Sequence, residues 1–186
     1  MSKIRTRIQL LDKELDGGIS VGKCTFVEGY RTITAGMLAA LVSISGAKAD
    51  MCTALLSEDA TVDDMLTYLG TTLGLGVESS MSIPDKDTHA GRLSRKRLAK
   101  EMHELNLYVF DVESDPAPTV KSVAKYLEEK SEGADRLLVV DSERIVRAFM
   151  AEDDCQDVAD CIEASRKYGF TTLVICGSWE PWPDPD

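Results

Sequence analysis

An α/β fold, a mostly parallel sheet with helices on both faces, is what this sequence predicts. Three observations carry that expectation. Five short runs are apolar nearly throughout: 24–29 (CTFVEG), 52–57 (CTALLS), 107–112 (LYVFDV), 136–142 (RLLVVDS) and 171–177 (TTLVICG). Strands buried on both faces read this way, whereas half-exposed strands alternate. Longer helical stretches separate most of these runs, which is the alternation of βαβ units. The chain has 186 residues, 44% hydrophobic and 28% charged, enough for one ordinary domain with its own core.

The remaining elements follow in order. Residues 34–48 carry apolar side chains on several faces and predict a well-buried helix. Residues 61–73 predict a second helix, capped by Thr61, with Asp63 and Asp64 in its first turn near the positive end of the dipole. Residues 74–88 are rich in Gly, Ser, Asp and Pro and read as a loop. The stretch 71–80 (TTLGLGVESS) looks like a phosphate loop by eye, but no strand precedes it and no helix start follows, so it reads as a turn. Residues 92–105 predict a basic helix, whose run 92–100 (RLSRKRLAK) reads as a solvated face. Residues 118–131 predict a helix with Pro118 in its first turn, and 154–168 one closed by Gly169.

Composition excludes several function classes. The net charge of −11 opposes binding to phosphate backbones and anionic membranes. The five cysteines, Cys24, Cys52, Cys155, Cys161 and Cys176, form no C-x-x-C pair, and with only His89 and His103 no zinc site is expected. Cys24, Cys52 and Cys176 lie in apolar runs and read as small core residues. His103 reads as an exposed helix residue. This cysteine usage predicts a reducing, cytoplasmic setting. The N-terminal stretch is charged throughout, so no signal peptide is expected, and no apolar run approaches the roughly 20 residues of a membrane span.

Right-handed crossovers put the C-terminal ends of parallel strands on one edge, where such sheets bind ligands. Gly29, Ser57, Asp111 and Asp141 fall at those ends. Directly after the first strand comes 28–38 (EGYRTITAGML), the place and length of a phosphate-binding loop between strand and helix. Upstream lies 11–23 (LDKELDGGISVGK). This lead-in segment resembles that of the RecA/KaiC-like ATPases, L-D-x-x-L-G-G-G-I-x-x-G. Leu11, Asp12, Leu15, Gly17, Gly18, Ile19 and Gly22 match it, and Asp16 replaces one glycine. The resemblance covers roughly residues 5–178 and is strongest to the KaiC-like archaeal proteins, among them the archaellum accessory ATPases.

The resemblance implies a RecA-like core, truncated relative to family members that continue with further strands beside the base. It implies a P-loop, G-x-x-x-x-G-K-[ST], over Gly29, Tyr30, Arg31, Thr32, Thr34 and Gly36. Counting from Gly29, Thr34, Ala35 and Gly36 occupy the last three defined positions, so the phosphate-neutralising lysine and the magnesium-holding hydroxyl are both missing. Arg31 offers a positive charge from another direction. Glu58 and Asp59 match the family's acidic pair that positions or activates water. Asp141 and Ser142 match its Walker B end, where the aspartate supports magnesium.

Phosphoryl transfer depends almost wholly on positioning and charge neutralisation. The expectation is therefore a non-catalytic or regulatory domain with no cofactor. It would be a scaffold or partner of a related ATPase, motor or signalling component, or of copies of itself, as in the archaellum motor. The alternative is a nucleotide-binding sensor or weak ATPase that holds ATP and magnesium with an altered loop. A single domain over 1–178 is expected, followed by a Trp/Pro-rich tail, 179–186 (WEPWPDPD). Trp179 and Trp182 read as a partner-docking tail or as cover for the sheet edge, with the second preferred.

Overall fold

Five parallel strands form the central sheet of the computed structural model, which describes residues 2–29, 35–74, 87–111 and 116–177. In chain order the elements are β1 (Lys3–Ile4), α1 (Gln9–Glu14), β2 (Ile19–Ser20), β3 (Cys24–Gly29), α2 (Ala35–Ala47), β4 (Cys52–Ser57) and α3 (Val62–Thr72). There follow α4 (His89–Glu104), β5 (Leu107–Asp111), α5 (Val120–Lys130), β6 (Arg136–Asp141), α6 (Glu143–Met150), α7 (Gln156–Tyr168) and β7 (Thr171–Gly177). The sheet order is β3-β7-β6-β4-β5, and every pairing in it is parallel.

This order divides the helices between two layers. From β3 the chain passes over β7 and β6 to reach β4, and then moves outward again to β5. Both steps run in one direction, and their helices α2, α3 and α4 share one apolar cluster with Val139 and Leu173. The steps to β6 and to β7 run the other way. Their helices α5, α6 and α7 bury Leu127, Ile145 and Cys161 against Leu138 and Val174 on the opposite face. A fixed crossover handedness requires this split. Alternate residues of β6 therefore serve two cores, which is why the strand reads as apolar throughout.

Helix α2 is sandwiched between the sheet and α3, and ten of its thirteen residues are buried. Gly46 lets it close on β6: a Cβ there would stand 2.3 Å from Leu137 Cδ2. The basic helix α4 buries Gly91 and Leu98 and leaves Arg92, Lys96, Arg97 and Lys100 exposed or half-exposed, while Arg95 pairs with Asp63 at 2.7 Å. The solvated-face reading of 92–100 agrees with this geometry. His103 is exposed, Cys176 is buried, and Gly169 closes α7 at φ 70°.

Several readings need correction. Pro118 precedes α5 instead of entering it, because Thr119 takes the cap, with its hydroxyl accepting from Ser122 N. Helix α4 starts at His89, earlier than residue 92, because Thr88 caps it. Cys24 is half-buried where a core position was expected, since β3 ends the described sheet. Helix α6, with Ser142 as its cap, stands where no element was assigned. The turn reading of 71–80 falls largely on residues outside the described ones, as does all of 179–186.

The lead-in segment also gains a physical account. It is a small two-stranded unit, β1 antiparallel to β2, with α1 between them. Asp12 Oδ1 accepts from Thr6 N at 2.7 Å and from Thr6 Oγ1 at 2.8 Å, which ties α1 to β1. Gly17 and Gly18 sit at φ 102° and 125°, and a Cβ on Gly18 would lie 2.3 Å from Ile4 O. Asp16 takes the left-handed region at φ 53°, which aspartate tolerates better than most residues. Gly22 N donates to Thr171 Oγ1 at 2.9 Å and so joins the unit to β7.

Candidate functional site at the strand C-terminal ends

Ser57 and Asp141 are register partners at the ends of β4 and β6. Ser57 Oγ donates to Asp141 Oδ2 at 3.2 Å and accepts from Ala60 N at 2.9 Å. Asp141 is 2% exposed, and its Oδ1 is buried with no hydrogen-bond partner among the described residues. Burial pushes its carboxyl up to about 6, the Asp59 charge adds to this, and the Ser57 hydrogen bond opposes it. A buried carboxylate with an unsatisfied oxygen is costly, and such groups concentrate at functional sites.

The first turn of α2 lies over this carboxylate. A Cβ on Gly36 would stand 3.6 Å from Asp141 Oδ2. It would also stand 2.6 Å from Tyr68 Cε2, closer than real Cβ atoms come, and 3.0 Å from Cδ2. The Tyr68 ring, supplied by α3, thus fills the space in which a side chain at position 36 would reach toward Asp141. The neighbouring Ala35 is buried.

A second cluster stands beside the first. Glu58 follows β4, and its backbone N–H donates to Asp141 O at 2.8 Å. Its Oε2 accepts from the Ser142 hydroxyl, and its Oε1 accepts from Arg144 Nη2 at 2.7 Å. The same Arg144 nitrogen reaches Asp157 Oδ2 at 2.7 Å. These two carboxylates hold the guanidinium more firmly in its charged form, Glu58 contributing most. Asp59 Oδ2 accepts from Glu143 N at 2.6 Å, in the first turn of α6. Ser142 caps α6 by accepting from Ile145 N at 3.1 Å. Glu58 and Asp59 therefore anchor the N-terminus of α6, and both Glu58 oxygens are engaged.

Of the residues singled out in the sequence, Gly36, Glu58, Asp59, Asp141 and Ser142 converge here. Gly29 pairs with Gly177 at the end of β3. Tyr30, Arg31, Thr32 and Thr34 lie outside the described residues. Sequence reasoning missed Tyr68, Arg144 and Asp157. Arg144 had a usable signal: Ser142 precedes a stretch with Ile145, Val146 and Phe149 on one helical face, the mark of a capped helix start. Tyr68 had none, since only the packing of α3 on α2 brings it over Gly36.

Comparison with solved structures finds likenesses of fold. The chain superposes on the structure of a DnaB-like replicative helicase, described with its interactions with primase, at a TM-score of 0.65 and 12% identity. That match covers 98% of this chain and 48% of the helicase chain. It superposes on a second solved structure, that of an ATPase domain, at 0.61 and 11% identity, covering 95% of this chain and 64% of the other. The fold is that of RecA-like ATPase domains, and the chain spans roughly half to two thirds of these two neighbours. No family model matches the sequence, and no curated protein does. Among the described residues no helix is long and apolar enough to cross a membrane.

Proposed function

We propose that this chain is a RecA-like domain that performs no phosphoryl transfer and acts as a scaffold or regulatory partner within an assembly. The observation that carries the reading is the Gly36–Tyr68–Asp141 contact. In a working P-loop the residue at position 36 supplies a hydroxyl to magnesium, with the Walker B aspartate behind it. Here glycine stands at that position, and an aromatic ring occupies the adjoining space. Ala35, in place of the lysine, brings no charge to a β- or γ-phosphate. Asp141 suits a magnesium site and these residues do not, so the set as a whole does not fit a magnesium nucleotide. Glu58, held by Ser142 and Arg144, is also tied down as a general base.

The likeness to helicase ATPase domains supports an assembly of RecA-like subunits, in which an inactive copy still contributes a surface. The lead-in segment supports a narrower setting, a KaiC-like archaeal complex such as the archaellum motor or a signalling assembly. A pull-down from native cells that recovers no ATPase, motor or signalling protein removes that setting.

One observation favours a second reading, nucleotide sensing: Asp141 keeps an unsatisfied buried oxygen. Calorimetry with ATP and ADP, in magnesium and then in EDTA, separates the two. The proposal expects neither heat nor thermal stabilisation at millimolar nucleotide. Micromolar binding overturns it, and Asp141→Ala would then show whether the aspartate takes part.

A further inference from the structure

The two most exposed large apolar side chains among the described residues are Leu93, 60% exposed, and Met150, 66% exposed. Each stands in a charged patch, and the two patches have opposite sign. Leu93 lies on α4 with Arg92, Lys96, Arg97 and Lys100, all four exposed. Arg92, Lys96 and Lys100 follow at intervals of four residues and so form one stripe along the helix, which Leu93 flanks. Lys96 and Arg97 form no ion pair among the described residues. Met150 ends α6 beside the partly exposed Phe149, and Glu152, Asp153 and Asp154 follow directly. These three carboxylates are exposed and also form no ion pair among the described residues.

The patches occupy opposite faces and opposite edges of the sheet. Helix α4 packs on β5 and α3, and its Leu98 belongs to the apolar cluster of α2 and α3. Helix α6 packs on β7 and β3, with Phe149 stacked on Phe26 and Ile145 in the other cluster. Strands β5 and β3 are the outer strands of the described sheet, four spacings or about 19 Å apart. One chain therefore does not bring its own two patches together.

We propose that copies of this chain associate head to tail through these patches. The basic α4 patch around Leu93 of one copy meets the acidic patch around Phe149 and Met150 of the next. The inference rests on the assembly reading above and names one partner within it, a second copy. Charge complementarity selects this occupant. An apolar centre with a charged rim is the ordinary plan of a protein interface, and here the two rims have opposite sign. A nucleic acid would also neutralise the basic patch. The net charge of −11 opposes it, and it leaves the exposed Phe149 and Met150 without a role. Two different surfaces in contact make a heterologous interface, which propagates into a ring or a filament instead of stopping at a symmetric dimer.

Sedimentation velocity of the full chain, over rising concentration at about 0.1 M salt, tests this. The proposal expects oligomers that grow with concentration and weaken several-fold in about 1 M salt, which screens the rim pairs. Two charge reversals isolate the patches: Arg92→Glu with Lys96→Glu, and Glu152→Lys with Asp153→Lys. Each should leave a monomer, because like charges then face one another. An equimolar mixture of the two variants should associate again, since every contact between unlike chains joins opposite charges. Both variants stay net negative, so bulk attraction does not produce that recovery. Leu93→Ser and Met150→Ser should each weaken association of the parent several-fold, with far-UV circular dichroism constant.

A parent chain that stays monomeric overturns the proposal. So does an association that both reversals leave intact, because another surface then carries it. Loss in each variant without recovery in the mixture overturns it as well, because the two patches then do not face each other. If a charge reversal unfolds the chain, the two serine variants decide, and association unchanged in both overturns the proposal. None of these outcomes bears on the absence of phosphoryl transfer or on other partners, which nucleotide calorimetry and the native pull-down address separately.

Discussion

Asp141 stores a pH-dependent cost. Its folded-state value lies above that of an unfolded carboxyl, about 6 against 3.8. The folded form thus binds its proton more tightly, and stability present below about pH 4 is lost as pH rises through 6. A shift of that size corresponds to roughly 3 kcal/mol. Asp141→Asn removes the term and should be more stable than the parent at pH 7 to 8, by up to about 3 kcal/mol. The two proteins should converge below pH 4 in urea titrations. An Asn variant less stable than the parent at neutral pH would show that burial is not the dominant influence. The Gly36–Tyr68 contact has its own test. Gly36→Ala should cost about 1–2 kcal/mol through overpacking. In a Tyr68→Ala background it should cost nothing or stabilise, because the ring is gone and alanine is the better helix former.

At the scale of elements, the site depends on how α6 is seated. Ser142 both caps α6 and donates to Glu58, so Ser142→Ala removes two interactions at once. It should cost about 1–2 kcal/mol, read by thermal or urea unfolding. Arg144 is more than half exposed, so Arg144→Ala should cost under about 1 kcal/mol. In the lead-in unit, Gly18→Ala forces a Cβ into Ile4 O at an unfavourable φ and should cost about 2–3 kcal/mol. Strands were legible because burial on both faces leaves an uninterrupted apolar run such as Leu137 to Val140. Helix α3 was legible from Thr61 and Asp64, which form a capping box. Helix α6 escaped because eight residues offer barely two turns of periodicity. The roles of Glu58 and Asp59 escaped because their partners, Arg144 and Glu143 N, lie more than 80 residues away. Pairings over such separations leave no local pattern to read.

For the whole molecule, strand order was not legible from any run of residues. Each strand carries the same double-sided apolar pattern, and what sets the order is the direction of each crossover. That order predicts a hierarchy of opening. Amides of β4, β6 and β7, each flanked by two strands, should exchange hydrogen most slowly, and those of β5 sooner. Exchange in β3 as slow as in β6 would show that its edge is held by a partner outside the described strands.

The placement of β7 between β3 and β6 also has a consequence during synthesis. The first strand of the sheet to be made has, among the described strands, its only partner in the last one, about 140 residues later. At about 5–20 residues per second a nascent chain holds β3 unpaired for something like 7 to 30 s. Throughout that interval Phe26 and Val27 have no neighbouring strand among the described ones, while β4, β5 and β6 are made in turn. Completion of the sheet therefore waits for β7, although β4, β5 and β6 can pair before it is made. The nascent chain should depend on a holding chaperone more than a protein of equal size whose neighbouring strands are consecutive in sequence.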